Sequence, residues 1–294
     1  MAITVMPVTE SFAAEIGDVD LSKPLAAEDM AEVKAAFWKY AVLVFPDQDL
    51  TQEQHLAFAE AFGPLEKPSD NVISGWRDAP NRIPKVFADV SNLAPTGGIW
   101  DEKSRQRLFQ LGNRLWHTDS SFKRLPALTS LLYGREVPPV GGQTEFADER
   151  AAWDALPETK KRELEGLVAE HSIITSRERL GFTDFTDEER RDHAPQARPL
   201  VRTIPESGRK SLYLASHIGR IRGLADGAAK ALLDELTAHA TQRQFVYQHR
   251  WRARDLVMWD NRCTMHRGLP FDDLRWKRDM RRATVSDTAL APIG

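Results

Sequence analysis

In the run Leu115-Trp116-His117-Thr118-Asp119-Ser120-Ser121-Phe122, a histidine and an aspartate stand two positions apart. On extended chain, side chains two apart leave the same face. An imidazole nitrogen and a carboxylate oxygen placed so can hold one cation. Two ligands do not make a stable site, so a third is needed. His266, in Val257-Met258-Trp259-Asp260-Asn261-Arg262-Cys263-Thr264-Met265-His266-Arg267, is the best candidate. Two histidines and one carboxylate on one side of an ion, with the other positions open, form the ligand set of non-haem Fe(II) that works on O2. Each part alone is weak. Asp119 could simply cap a turn through the amides that follow it, and a histidine at a strand end is commonly just packed or solvated. The same three ligands with a bound water would also serve a Zn²⁺ hydrolase.

Beyond His266 lies a basic cluster of Arg275, Lys277, Arg278, Arg281 and Arg282. Arg275, Lys277 and Arg281 are expected on a solvated face. Arg278 and Arg282 are four apart, so on a strand they share a face. A buried guanidinium is costly unless an anion meets it, and its fork fits carboxylates bidentately. Two inward arginines near a metal therefore imply two anionic groups, which two small acids could supply.

Strands must carry these residues and helices must back the strands. Met30, Val33, Ala36, Phe37 and Tyr40 keep helical spacing and predict an amphipathic helix over 27–40, and the apolar run 41–45, ended by Pro46, suits a buried strand. Thr51 and Gln54 have the spacing of a capping box for a second helix, with His55 in its first turns expected at the surface. Further strands are expected at 3–5, 15–19, 127–133, 245–251, 255–259 and 281–285, and a hairpin at 199–203 and 210–214. Gly141-Gly142 marks a turn. Pro157 opens a helix at its first position, running through Leu164 and Leu167, and another helix spans 224–240 with Leu232, Leu233 and Leu236 inward.

Residues 66–113, with Pro68, Pro80, Pro84, Pro95 and Gly97-Gly98, form a long irregular connection just ahead of the His-x-Asp pair. Connections of this kind are usually functional, and this one is read as a lid. Residues 176–198 read as a second excursion over the surface, charged and poor in helix. Many short strands with turn signals predict a mainly β protein with flanking helices around a double-stranded β-helix (jelly roll) core. No linker divides the chain, so 1–294 is expected to be a single domain.

Composition narrows the partners. Forty basic against 43 acidic residues leave a net charge of −3, unlike the basic face that nucleic acid needs. No apolar run approaches the ~18 residues of a membrane span. A single cysteine, Cys263, allows no internal disulfide. The first residues lack a basic stretch followed by a long apolar core, so no signal peptide is expected. A cytoplasmic enzyme acting on a small carboxylic acid is the expectation, and self-association into a homo-oligomer is compatible with it.

Several runs together carry a family resemblance: Ala41-Val42-Leu43-Val44-Phe45, Phe62-Gly63, Trp116 to Phe122, Gly141-Gly142-Gln143-Thr144-Glu145-Phe146, Asp255 to Arg262, Met265-His266-Arg267 and Arg278 to Thr284. Over nearly its whole length the chain resembles the Fe(II)- and 2-oxoglutarate-dependent dioxygenases of the taurine dioxygenase family. It is most similar to their 2,4-dichlorophenoxyacetate branch. The resemblance implies that His117, Asp119 and His266 hold Fe(II). It implies that Thr144 and Arg278 hold the distal carboxylate of 2-oxoglutarate and that O2 is the other cosubstrate. It places Arg282 on the substrate's anionic group, His217 near the substrate, and Asn113 beside the iron on the substrate side. The implied reaction hydroxylates the carbon next to the ether oxygen of an aryloxyalkanoic acid, giving a phenol, glyoxylate, succinate and CO2. Sulfonates and other arylalkanoic acids are the alternatives within this chemistry, and a non-catalytic jelly-roll binding protein is the alternative outside it.

Overall fold

The computed structural model of the chain describes residues 3–67, 81–290 and 293. Helical spacing of apolar residues puts Val33, Ala36, Phe37 and Tyr40 on the buried face of the helix Ala27–Tyr40. Ala41, in the left-handed region at φ 60°, then turns the chain into the strand Val42–Phe45, which is buried on both faces. The helix Gln52–Glu60 starts at the expected capping box: the Thr51 hydroxyl accepts from Gln54 N while the Gln54 side chain accepts from Thr51 N.

His55 departs from expectation, being fully buried rather than solvated. Positions 55, 58, 59 and 62 share one helix face, and Phe58, Ala59 and Phe62 are its buried members. His55 Nε2 donates to Leu131 O at 3.1 Å, leaving Nδ1 to accept from Arg281 Nε at 3.4 Å. Arg281, expected on a solvated face, is buried as well and donates to Leu50 O and Thr51 O. Both side chains fill the seam between this helix and the sheet beneath it.

That sheet has seven strands, ordered Thr4–Pro7, Ala14–Gly17, Val42–Phe45, Leu256–Asp260, Ala127–Glu136, Asp279–Ser286 and Ala88–Asp89. Strand alternation divides its residues between two clusters. Leu43, Phe45, Leu131, Met258, Ala283 and Val285 face the two helices. Val42, Val44, Leu132, Val257, Trp259 and Met280 face the other way and pack on Phe146. Phe146 belongs to a second, three-stranded sheet in which Thr144–Asp148 lies between Val246–His249 and Thr264–Gly268. The molecule is thus mainly β, with helices on the outside of the larger sheet. Among the described residues no helix is long and apolar enough to cross a membrane.

The expected hairpin forms as Val201–Thr203 paired with Lys210–Leu212, and the helix Asp226–Ala240 buries Leu232, Leu233 and Leu236. Pro157 caps the helix Glu158–Leu164 instead of occupying its first turn, and Leu167 falls beyond its end. The Gly141-Gly142 turn holds: both have positive φ, and a Cβ on Gly141 would sit 2.6 Å from Pro270 O. Residues 176–198 are not a bare surface excursion. They include the end of the helix Ile173–Glu178 and all of Asp187–Asp192, with Arg177, Phe182 and Phe185 buried. Of residues 66–113, the stretch 68–80 lies outside the described residues. The remainder carries the edge strand Ala88–Asp89 and the helix Arg105–Gln110, capped by Ser104.

Candidate metal centre and its cavity

His117 is carried on short extended chain that meets the second sheet in a single antiparallel bridge to His266, with reciprocal amide-to-carbonyl bonds of 3.0 and 2.8 Å. The bridge brings the two imidazoles to 4.2 Å between ring centroids. Thr118 points the opposite way, its hydroxyl shared between Leu214 O and Thr264 O. Asp119 therefore returns to the histidine face, and Ser120, at φ 53°, turns the chain away behind it.

One ligand atom from each of His117, Asp119 and His266 lies within 4.8 Å of the other two. His117 Nε2 is 3.9 Å from Asp119 Oδ1, and His266 Nε2 is 3.7 Å from Asp119 Oδ2. These separations are too long for hydrogen bonds and suit three ligands around one cation. Protonation states agree. Burial pushes the His117 imidazole down and His266 well below the usual value. Burial alone would raise the Asp119 carboxyl, but Arg282, then His266, His117 and Ser130, outweigh it and hold the group at about 2. The set is two neutral imidazoles and a carboxylate, which is what a divalent cation requires.

The surroundings aim the ligands. His117 Nδ1 donates to Leu115 O at 2.7 Å, which leaves the Nε2 lone pair facing Asp119. Ser130 Oγ donates to Asp119 Oδ2 at 2.7 Å, and Asn261 Nδ2 donates to Ser130 Oγ at 3.0 Å. Asn261 Oδ1 in turn accepts from Asp119 N and from Trp259 Nε1. His266 Nδ1 is buried without a hydrogen-bond partner among the described residues, so a cation on Nε2 would settle its tautomer. No local pattern marks Ser130, while Asn261 lies within the Trp259-Asp260-Asn261-Arg262 run that carries the family resemblance.

His117 and Asp119 open onto a cavity of about 920 Å³. Its lining includes Arg282, His217, Asn113, Phe109 and Phe122. His217 is buried, with its ring 5.9 Å from His117 and 4.8 Å from Phe122, edge-on to both, and its Nδ1 is 3.0 Å from Ser176 Oγ. The Arg282 guanidinium pairs with Asp119 Oδ1. One of the two anionic groups that the inward arginines implied is therefore Asp119 itself. The Arg282 Nε still has no partner among the described residues.

A smaller cavity of about 80 Å³ adjoins the first and shares Val90, Ser91, Trp100, Gln110 and Asn113 with it. Arg278 lines it. Burial pushes this guanidinium down to about 10, its Nε has no partner, and it meets no carboxylate among the described residues. Thr144 is placed less directly. It lies across from Gly268, which lines the same small cavity, but its hydroxyl accepts from Trp251 Nε1 at 2.9 Å. The structure therefore brings His117, Asp119, His266, Arg282, His217 and Asn113 to one centre, Arg278 to the adjoining space, and Thr144 one strand away.

A family profile described as "Taurine catabolism dioxygenase TauD, TfdA family" matches residues 4–284. The chain is 43% identical over 291 residues to the alpha-ketoglutarate-dependent 2,4-dichlorophenoxyacetate dioxygenase of Cupriavidus pinatubonensis, covering 99% of this chain and 100% of the relative. It is 37% identical over 302 residues, 99% of each chain, to the (S)-phenoxypropionate/alpha-ketoglutarate-dioxygenase of Sphingobium herbicidovorans. Among solved structures it is similar to AAD-2 in complex with Mn(II) and N-oxalylglycine, with a TM-score of 0.94 at 49% identity over 98% of this chain and 99% of that one.

Proposed function

The chain belongs to the TauD/TfdA dioxygenase family, and from that premise we propose that it oxidises aryloxyalkanoic acids, using Fe(II), O2 and 2-oxoglutarate, at the carbon beside the ether oxygen. Hydroxylation there gives a hemiacetal, whose C–O bond breaks to release a phenol and glyoxylate. One O2 is consumed for each 2-oxoglutarate converted to succinate and CO2. Family membership sets aside the zinc hydrolase and the non-catalytic binding protein. One observation carries the substrate assignment: the His117–Asp119–His266 centre opens onto a cavity that presents Arg282 beside the ligands and the aromatic rings of Phe109 and Phe122 on its walls.

Iron held by His117, Asp119 and His266 supplies, with O2 and 2-oxoglutarate, the oxidising power for the C–H bond. The protein's own residues do the rest. Asp119 stays ionised and both imidazoles stay neutral, so the ligand set is ready at neutral pH. Ser130 and Asn261 fix the carboxylate's orientation. Arg278, buried without an anion, receives the distal carboxylate of 2-oxoglutarate, and Thr144 adds a neutral hydrogen bond. Arg282 shares its charge between Asp119 and the substrate's carboxylate, so that the CH2 and not the ring faces the metal. Positioning of this kind can supply several kcal/mol of the barrier. His217 and Asn113 close the substrate side.

Phe146 packed between the two sheets supports a double-stranded β-helix core in a single domain, and Val90, Phe109 and Asn113, from the described part of the 66–113 connection, line the cavity in keeping with a lid. The buried free thiol of Cys263 is in keeping with a reducing cytoplasm.

The test is a panel assay with Fe(II), 2-oxoglutarate and ascorbate. Phenoxyacetic acids should yield succinate and phenol, taurine little or nothing, and the methyl esters of the same acids nothing. Taurine as the better substrate, or an ester turned over as well as its acid, overturns the assignment.

A further inference from the structure

The cations on the main cavity wall differ in the company they keep. Lys67, Lys85 and Arg124 are exposed, and Arg82 is paired with Asp89 and Asp279. Arg282 has Asp119. Arg177 has no anion at all among the described residues, although only 5% of it is exposed.

Its guanidinium is held rigidly. It lies 4.3 Å from the Phe109 ring centroid and so close over Gly112 that a Cβ there would stand 2.2 Å from Cζ. Nη1 donates to Ser176 Oγ at 3.0 Å, while Nε is buried with no partner among the described residues. Ser176 Oγ also contacts His217 Nδ1, which ties the arginine to the wall facing His117. Burial pushes the group down to about 9, and its charge is felt at both His117 and His217. A buried, unpaired guanidinium is costly, and an anion entering the cavity would offset that cost.

We propose that Arg177 is a second carboxylate-binding residue for the substrate, held against Phe109 and Gly112 and turned into the cavity, and that it carries the larger part of the preference for free acids. Arg282 already answers Asp119, so its charge is partly spent before substrate arrives. The inference rests on the reading above only in taking the substrate to be a small anion.

The test uses the iron- and 2-oxoglutarate-loaded enzyme and three variants. Arg177→Gln should raise the KM for phenoxyacetate by roughly 10- to 100-fold, the worth of one charge-assisted hydrogen bond, with the 2-oxoglutarate requirement within about two-fold of wild type. Arg177→Lys keeps the charge without the fork and should recover part of the loss. Gly112→Ala keeps the arginine but puts a methyl where its guanidinium sits, and should also raise KM, even if Arg177→Gln proves too unstable to assay. If Arg177→Lys and Gly112→Ala leave KM unchanged and only lower the melting temperature, the residue is packing and the proposal fails. It fails too if the 2-oxoglutarate requirement rises instead. A wild type that prefers another small acid overturns the aryloxy assignment but not this one, because the same ratios are then read on that acid. A wild type acting only on neutral compounds overturns both.

Discussion

Arg281 and Arg282 are adjacent on the strand Asp279–Ser286, and strand alternation sends them to opposite faces of the large sheet. On the helix side, Arg281 donates to Leu50 O at 2.6 Å and Thr51 O at 2.8 Å, reaches His55, and lies over the rings of Phe87 and Tyr133. On the cavity side, Arg282 pairs with a carboxylate of the metal centre, and its Nε has no partner among the described residues. Arg278, just before the strand, lines the adjoining cavity with no carboxylate against it among the described residues. A guanidinium whose donors end on main-chain carbonyls ties elements together. One that keeps donors free beside a cavity is placed for a ligand. Substitutions on the two faces should therefore fail differently.

The largest effect belongs to the cavity side. His117→Ala, Asp119→Ala or His266→Ala should abolish iron binding and turnover while leaving the circular-dichroism spectrum unchanged, which metal analysis and succinate release would show. Full activity in any of them would remove the triad. Next come the 2-oxoglutarate residues. Arg278→Ala should raise the 2-oxoglutarate requirement by roughly 10- to 100-fold and Thr144→Ala by only about 3- to 10-fold, as expected for charged against neutral hydrogen bonds. An unchanged titration curve for Arg278→Ala contradicts its placement.

On the helix side, Arg281→Met keeps the packed length but leaves Leu50 O without its donor, while Thr51 O keeps the His55 amide. It should lower stability by about 1–3 kcal/mol for the acceptor left buried, with KM values unchanged. A shifted KM without a fall in melting temperature would erase the contrast between the faces. The smallest effect is in pH. Burial, then the charge of Arg281, lowers His55 from 6.5 to about 3, so protonation between those values favours the unfolded chain. The stability that neutral His55 contributes is present above pH 6.5 and declines as pH falls towards 3. Thermal unfolding of His55→Gln between pH 7 and 5 should show a shallower loss than wild type, and equal slopes would mean that His55 is not held neutral.

The same contrast separates what could be read in the chain from what could not. The two-residue step from His117 to Asp119 and the helical spacing of Val33, Ala36, Phe37 and Tyr40 are local patterns, and each survives in the structure. Local pattern says which face a side chain takes but not what covers that face. Arg281 was therefore expected in water, and the Gln52–Glu60 helix that buries it was not foreseen above it. Residue type alone puts His55 at the surface, but its spacing from Phe58, Ala59 and Phe62 marks it as inward. Arg177 sits in a charged stretch, near the end of the short helix Ile173–Glu178, and is buried beside Phe109, a contact between segments far apart in sequence. Ser130 and Asn261 act on Asp119 through strand register, which no single segment contains.

One measurement bears most directly on the central claim: the ratio of phenol to succinate released from phenoxyacetate by the iron-loaded enzyme under limiting 2-oxoglutarate. The account predicts one phenol for each succinate, with neither formed when Fe(II), O2 or 2-oxoglutarate is withheld. Phenol released without 2-oxoglutarate, or succinate formed with taurine but not with phenoxyacetate, would contradict it.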